Sequence, residues 1–122
     1  MWSKLEEIFI ELEEEYGIAY TRLGSYAEDA ELPSEIFCFW NTGSELSNFF
    51  NNKPSQCIWS WNISYYTNKA ENLYTGLNSF IKKATEKGFI VKDMGKDISV
   101  DEPSYVGRYT TIEFIENLQL TS

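Results

Sequence analysis

The stretch Ile58-Trp59-Ser60-Trp61-Asn62-Ile63-Ser64-Tyr65-Tyr66 decides how the rest of the chain is read. Side chains alternate between faces along a strand, so Trp59, Trp61, Ile63 and Tyr65 point one way and Ser60, Asn62 and Ser64 the other. Such a strand is one layer of a protein that needs a second layer packed against it. Asn62-Ile63-Ser64 spells a glycosylation acceptor, but its mid-strand position in a chain with no visible export signal makes it a chance match.

Immediately after this strand, Ala70, Leu73, Tyr74, Leu77, Phe80, Ile81 and Ala84 recur at helical spacing. Thr67 or Asn68 can cap that helix, and Gly88 follows its basic last turn of Lys82, Lys83 and Lys87. Phe89-Ile90-Val91 opens a strand, Asp93-Met94-Gly95-Lys96-Asp97 reads as a turn, and Ile98-Ser99-Val100 returns. Beyond Asp101-Glu102-Pro103-Ser104, a closing strand runs from Arg108 to Glu116.

On the N-terminal side, Trp2, Leu5, Ile8, Phe9, Leu12 and Tyr16 draw one stripe on a helix that Gly17 is placed to end. The other face carries Glu6, Glu7, Glu11, Glu13, Glu14 and Glu15, either a solvated face or an acidic surface for a partner. Ile18 and Tyr20 start a short strand, and Glu35-Ile36-Phe37-Cys38-Phe39-Trp40 forms a buried one that Asn41-Thr42-Gly43-Ser44 breaks. Residues 44–54 read as a polar loop in which Phe49 and Phe50 either plug the core or anchor an interface.

The expected fold is a single α+β domain over residues 1–122, in the order α-β-β-β-α-β-β. Short connections point to an antiparallel sheet of about four to five strands with both helices on one face. The other face is left to solvent or another molecule, and the Trp and Tyr residues of the third strand fit the second option.

Charge narrows the function. With 10 basic and 19 acidic side chains the formal charge is -9, the wrong sign for neutralising phosphates or docking on an anionic leaflet. No apolar run reaches the roughly 20 residues that cross a bilayer. The N-terminal residues, acidic and amphipathic, do not read as a signal peptide.

Chemistry is sparse. The chain has no histidine, so the commonest general base and the commonest transition-metal ligand are both missing. Cys38 and Cys57 make no metal-ligand spacing, and Cys38 sits among apolar neighbours that give no reason for a lowered thiol pKa. Asp101 and Glu102 are adjacent, so their carboxylates diverge and do not form an acid/base pair. Asp93, Asp97 and Asp101 miss the ligand spacing of a calcium loop, and no phosphate-cradling glycine motif occurs. The expectation is a protein without catalysis, cofactor or metal that acts through contact.

Between Pro33 and Leu118 a family resemblance enters. Trp59-Ser60-Trp61-Asn62-Ile63-Ser64-Tyr65-Tyr66-Thr67, an amphipathic helix, Lys87-Gly88-Phe89-Ile90, Ser99-Val100-Asp101-Glu102-Pro103 and Gly107-Arg108-Tyr109-Thr110-Thr111-Ile112-Glu113-Phe114 follow in that order. Together they resemble small tail-terminator or tail-completion proteins of long-tailed phages and prophages of Gram-positive bacteria. The resemblance implies a ring of identical subunits, commonly a hexamer, that stops tube polymerisation and contacts tail-tube and head-connector proteins. It implies a place in the virion, and in the host cytoplasm during assembly. DNA would pass through such a ring without specific binding, and an acidic lumen suits that passage.

On this reading the contact residues are Phe49 and Phe50 in the loop, with Asp101, Glu102, Tyr105 and Arg108 near the closing strand. Arg108 suits either a carboxylate on a neighbouring subunit or an internal salt bridge. The alternative function is a small acidic binding module, of the inhibitor or immunity type, acting as a monomer on a basic partner.

Overall fold

The computed structural model describes residues 2–22, 33–50, 53–93, 95–98, 100 and 104–117, with side chains at all of these but 2, 48–50 and 54. Helix α1 (Trp2–Tyr16) is followed by strands β1 (Ala19–Thr21), β2 (Glu35–Phe50) and β3 (Lys53–Thr67). A 3-10 turn (Ala70–Asn72) leads into α2 (Leu73–Glu86), and then come β4 (Ile90–Val91), β5 (Lys96–Ile98) and β6 (Val106–Asn117).

Both helices form for the reason their stripes announce. Leu5, Ile8, Phe9 and Leu12 of α1 and Leu73, Leu77, Phe80 and Ala84 of α2 are buried in one shared core. Gly17, at φ 70°, and Gly88, at φ 93°, take the left-handed conformation that ends a helix. Gly17 N–H donates to the Glu13 carbonyl at 2.8 Å, and Phe89 N–H reaches back to the Ala84 carbonyl at 2.9 Å. The start of α2 lies later than expected and carries no side-chain cap bond. Thr67 Oγ1 instead accepts the Lys69 N–H at 3.0 Å, holding the bend before the 3-10 turn.

The fold is α+β, with a six-stranded sheet in the order β1-β2-β3-β6-β4 and β5 also on β6. The core face is built by Phe37 and Phe39 of β2, Trp61, Ile63 and Tyr65 of β3, and Ile112 of β6, all under the helices. Phe9 is its hub, stacked on Phe39 at 4.4 Å and on Phe80 at 5.2 Å between ring centroids. Gly76 lets α2 lie close on the sheet, because a methyl built there would land on the ring of Tyr65.

The structure corrects several expectations. The sheet is mixed, since β1 runs parallel to β2 with Ala19 opposite Ile36. Residues 22–34, which join the two strands, are about as many as a parallel connection needs. The loop expected over residues 44–54 is instead the end of β2 and the start of β3, with residues 51–52 outside the described residues. The glycine-containing break shrinks to a bulge between Asn41 and Gly43, after which Gly43 to Phe50 pair in register with Ser60 to Lys53.

The chain does not turn back at Asp93, and three strands follow α2 where two were expected. Strands β4 and β5 both run antiparallel to β6 along one edge, with Val91 opposite Ile112 and Lys96 opposite Tyr109. Thr110 Oγ1 donates to the Asp93 backbone carbonyl at 2.9 Å, and the Asp93 carboxylate accepts the Gly95 N–H at 2.8 Å.

Finally, Trp61 and Tyr65 of β3 do not serve the open face. Trp61 and Tyr65 are 3% and 0% exposed, beneath the helices. The opposite face carries Trp40, Tyr66 and Tyr109 in their place.

Candidate interaction surface

Strand β2 divides into two parts of different character. Ile36, Phe37, Cys38 and Phe39 are between 0% and 3% exposed. Residues 41–46 are all exposed. Leu46, at 51%, is a large apolar side chain left in water on that outer part. The outer part of β2 is bonded to β3 on one side. On its other side β1 reaches only Cys38, and no other described strand pairs with β2 there. Among the described residues the result is a long open strand edge on a hairpin that outruns the helices.

The hairpin is held firmly from the far side. Residues Gln56 to Ser60 of β3 pair with Asn117 to Glu113 of β6. Trp59 Nε1 donates to the Glu116 carboxylate at 2.8 Å, and Gln56 Nε2 donates to Asn117 Oδ1 at 3.1 Å. Asn41 Nδ2 fixes the bulge by donating to the carbonyls of Ser60, at 2.9 Å, and Gly43, at 3.1 Å. The outer strand is therefore presented as an ordered edge.

Of the residues expected to make contacts, Phe49 and Phe50 lie at the tip of this hairpin, opposite Pro54 and Lys53. Their side chains, and Asp101 and Glu102 entirely, lie outside what the structure describes. Tyr105 and Arg108 are placed inside the fold. Tyr105 Oη donates to the Pro33 carbonyl at 2.8 Å, tying the approach to β6 onto the approach to β2. Arg108 pairs with Asp97 at 2.6 Å, donates to the Gly95 carbonyl at 2.9 Å and lies 4.9 Å from the centre of the Tyr74 ring. These contacts are the internal salt bridge that stood beside the intersubunit reading, and they fix the β5 edge of the sheet.

The acidic face of α1 also resolves into parts. Lys83 of α2 meets Glu15 at 3.1 Å and Glu11 at 3.6 Å, and Lys87 meets Glu11 at 3.5 Å and Glu7 at 3.6 Å. Lysines four apart on one helix thus interleave with glutamates four apart on the other, a spacing visible in the sequence that was not used there. Glu6 and Glu13 lie near Tyr20, whose hydroxyl pKa is raised by burial and by those two carboxylates.

Among the described residues, two clefts are lined as follows. One, of about 400 Å³, sits on the face away from the helices between Trp40, Tyr66, Ile98 and Tyr109, with Asn62, Ser64 and Asp97 as its polar groups. Asp97 is held by Arg108, and Asn62 Oδ1 accepts the Thr111 hydroxyl at 3.0 Å. The other, of about 220 Å³, lies between the end of α1 and the start of α2. Its Glu35 carboxylate accepts Tyr65 Oη at 2.8 Å and Asn72 Nδ2 at 3.1 Å.

Cys38 is 1% exposed, and burial pushes its thiol up to about 11, away from the reactive thiolate. Among the described residues no three Cys, Asp or Glu side chains gather as a metal site, and no helix is long and apolar enough to cross a membrane. Among the described residues, the outer part of β2 combines six consecutive exposed positions with an edge on which no described strand pairs. No protein-family model matches the chain, and no curated protein does.

Proposed function

We propose that the chain is a structural subunit of a phage or prophage tail, a terminator-like protein that forms a ring, caps the tail tube and joins it to the head connector. The observation that supports this reading is the hairpin of β2 and β3, which carries its outer strand past the helices and exposes residues 41–46. A subunit that works by covering and joining others needs such an ordered, outward-reaching surface more than it needs a pocket. The resemblance noted above supplies the tail context.

Assembly with purified tail-tube protein tests it. The expected outcome is rings seen by negative-stain microscopy at tube ends, and tubes that stop lengthening when the protein is added. Tubes that grow unchanged, with the protein left in the unbound fraction, sink the reading. A tight one-to-one complex with a basic enzyme that dissolves in salt would favour the acidic binding module instead.

A further inference from the structure

We infer that the free protein pairs with a second copy of itself through the outer edge of β2, two β2 strands lying antiparallel across a two-fold axis with Leu46 opposite Leu46. This inference does not rest on the ring reading. It follows from how the edges of the sheet are built.

An open edge offers unpaired backbone donors and acceptors, and proteins that must stay single blunt such edges with lysine, proline, bulges or short strands. The far edge is blunted in that way. It consists of the two-residue β4 and the three-residue β5, interrupted between Val91 and Lys96 and carrying the exposed lysines Lys92 and Lys96. The outer half of β2 has none of these beyond its first bulge. Residues 42–50 contain no lysine, arginine or proline, and Glu45 is their single charge.

Length then selects the occupant. A strand added along residues 42–50 makes its full set of ladder bonds only against an edge as long, and β1, β4 and β5 are all too short. Among the described strands, the edge that matches is β2 of another molecule. Pairing of like edges about a two-fold axis is self-complementary and closes at two copies.

The register follows as well. Leu46 is the midpoint of residues 42–50, so complete overlap sets Leu46 against its own copy and removes from water a side chain now 51% exposed. Glu45 then faces Ser47 of the second copy, so the single charge on each strand never meets its twin. No ion pair holds this contact together, whereas each whole chain carries -9. Added salt should therefore screen the repulsion and strengthen the dimer.

Sedimentation equilibrium of the full chain over a wide range of concentration, at low and high salt, is the test. A monomer–dimer equilibrium that tightens with salt is expected. Leu46→Lys should weaken it at least about tenfold while leaving the melting temperature of the dilute monomer unchanged, because it sets two like charges face to face. A second variant reads the register directly. Cys57 lies opposite Leu46 within the hairpin, so Leu46→Cys is made together with Cys57→Ala to prevent an internal bridge. On mild oxidation this protein should give a covalent dimer faster than Glu45→Cys in the same Cys57→Ala background.

A monomer at every concentration, a dimer indifferent to Leu46→Lys, or position 45 cross-linking faster than 46 would each overturn the inference. Ring formation is scored separately with tail-tube protein. Dimers without rings support the paired edge and sink the tail reading, and rings without dimers do the reverse.

Discussion

The inner and outer halves of β2 are continuous backbone paired to the same neighbour, yet they live under different physics. The inner half is covered on one side by helices, and its residues 36–39 are nearly excluded from water. The outer half, residues 41–46, has the same kind of ladder to β3 and almost no burial. Ladder hydrogen bonds exchange one set of partners for water's and contribute modestly, whereas each fully buried large side chain contributes about 1.5–3 kcal/mol. The comparison teaches that the stability of this protein sits in the inner half, leaving the outer half free to be shaped by contact.

The sharpest way to break that division is to empty the inner core. Phe9 meets Tyr20, Phe37, Phe39 and Phe80, all within 5.7 Å between ring centroids. Phe9→Ala should cost about 3–5 kcal/mol in urea denaturation. Leu46→Ala, in the outer half, should stay within about 0.5 kcal/mol on the same measurement. A large loss at Leu46 in dilute monomer would show that the hairpin is part of the core.

Next in size is the contact between α2 and the sheet. A methyl on Gly76 would collide with Tyr65, a buried side chain whose hydroxyl is bound to Glu35 and so cannot swing away. Gly76→Ala should destabilise by roughly 1–3 kcal/mol, the range for overpacking. Combining it with Tyr65→Leu should recover part of that loss, because the two changes share one contact. Strict additivity in the double variant would mean that the helix does not bear on the sheet at this point.

How much of this was legible in the chain depends on what kind of periodicity each element needs. The stripes of α1 and α2 and the alternation of β3 are imposed by burial on one face, so they are written in adjacent residues and could be read there. The outer half of β2 buries nothing, and Thr42, Gly43, Ser44 and Ser47 therefore look like loop until their partners on β3 are known. β5 is defined by pairing with Tyr109, Arg108 and Gly107, about ten positions on, and local pattern cannot supply a register. The contact residues divide in the same way. Arg108 finds Asp97 across a strand pair, which its own neighbourhood in sequence does not reveal, whereas the rows of Lys83, Lys87 and Glu7, Glu11, Glu15 were open to inspection.

A smaller test of the inner half uses pH. Burial raises the Cys38 thiol from its ordinary value near 9 to about 11, and burial also raises the neighbouring Tyr66, with a further contribution from Cys38. A folded-state pKa above the unfolded one means that the neutral thiol is favoured by the fold. Its contribution is complete below about pH 9 and is lost as pH rises towards 11. The denaturation midpoint should fall across that window, and Cys38→Ala should flatten the fall. A thiol reagent at pH 8 should label Cys38 only as fast as the protein unfolds. Rapid labelling would show that the face away from the helices is open at that point.

The smallest effect expected is at the seam between the helices. Lys83 bonds Glu15 and lies near Glu11, and the bond to Glu15 is the main reason its pKa is raised. Its partners Glu11 and Glu15 are 41% and 50% exposed, so solvent and ions screen the pairs, and Lys83→Met should cost no more than about 1 kcal/mol, and less as salt is added. Its stem covers apolar surface, and methionine keeps that part of the contact while deleting the charge. The resulting comparison isolates the charge itself. With Lys83 gone, Glu11 keeps Lys87 at 3.5 Å, but Glu15 loses the partner at 3.1 Å, and repulsion along α1 should rise at its C-terminal end. Hydrogen exchange should then quicken at the last turn of α1 and leave the amides of β3 unchanged. Equal quickening in both places would mean that the ion pairs hold the helix layer to the sheet, a role this structure gives to Phe9 and Phe80.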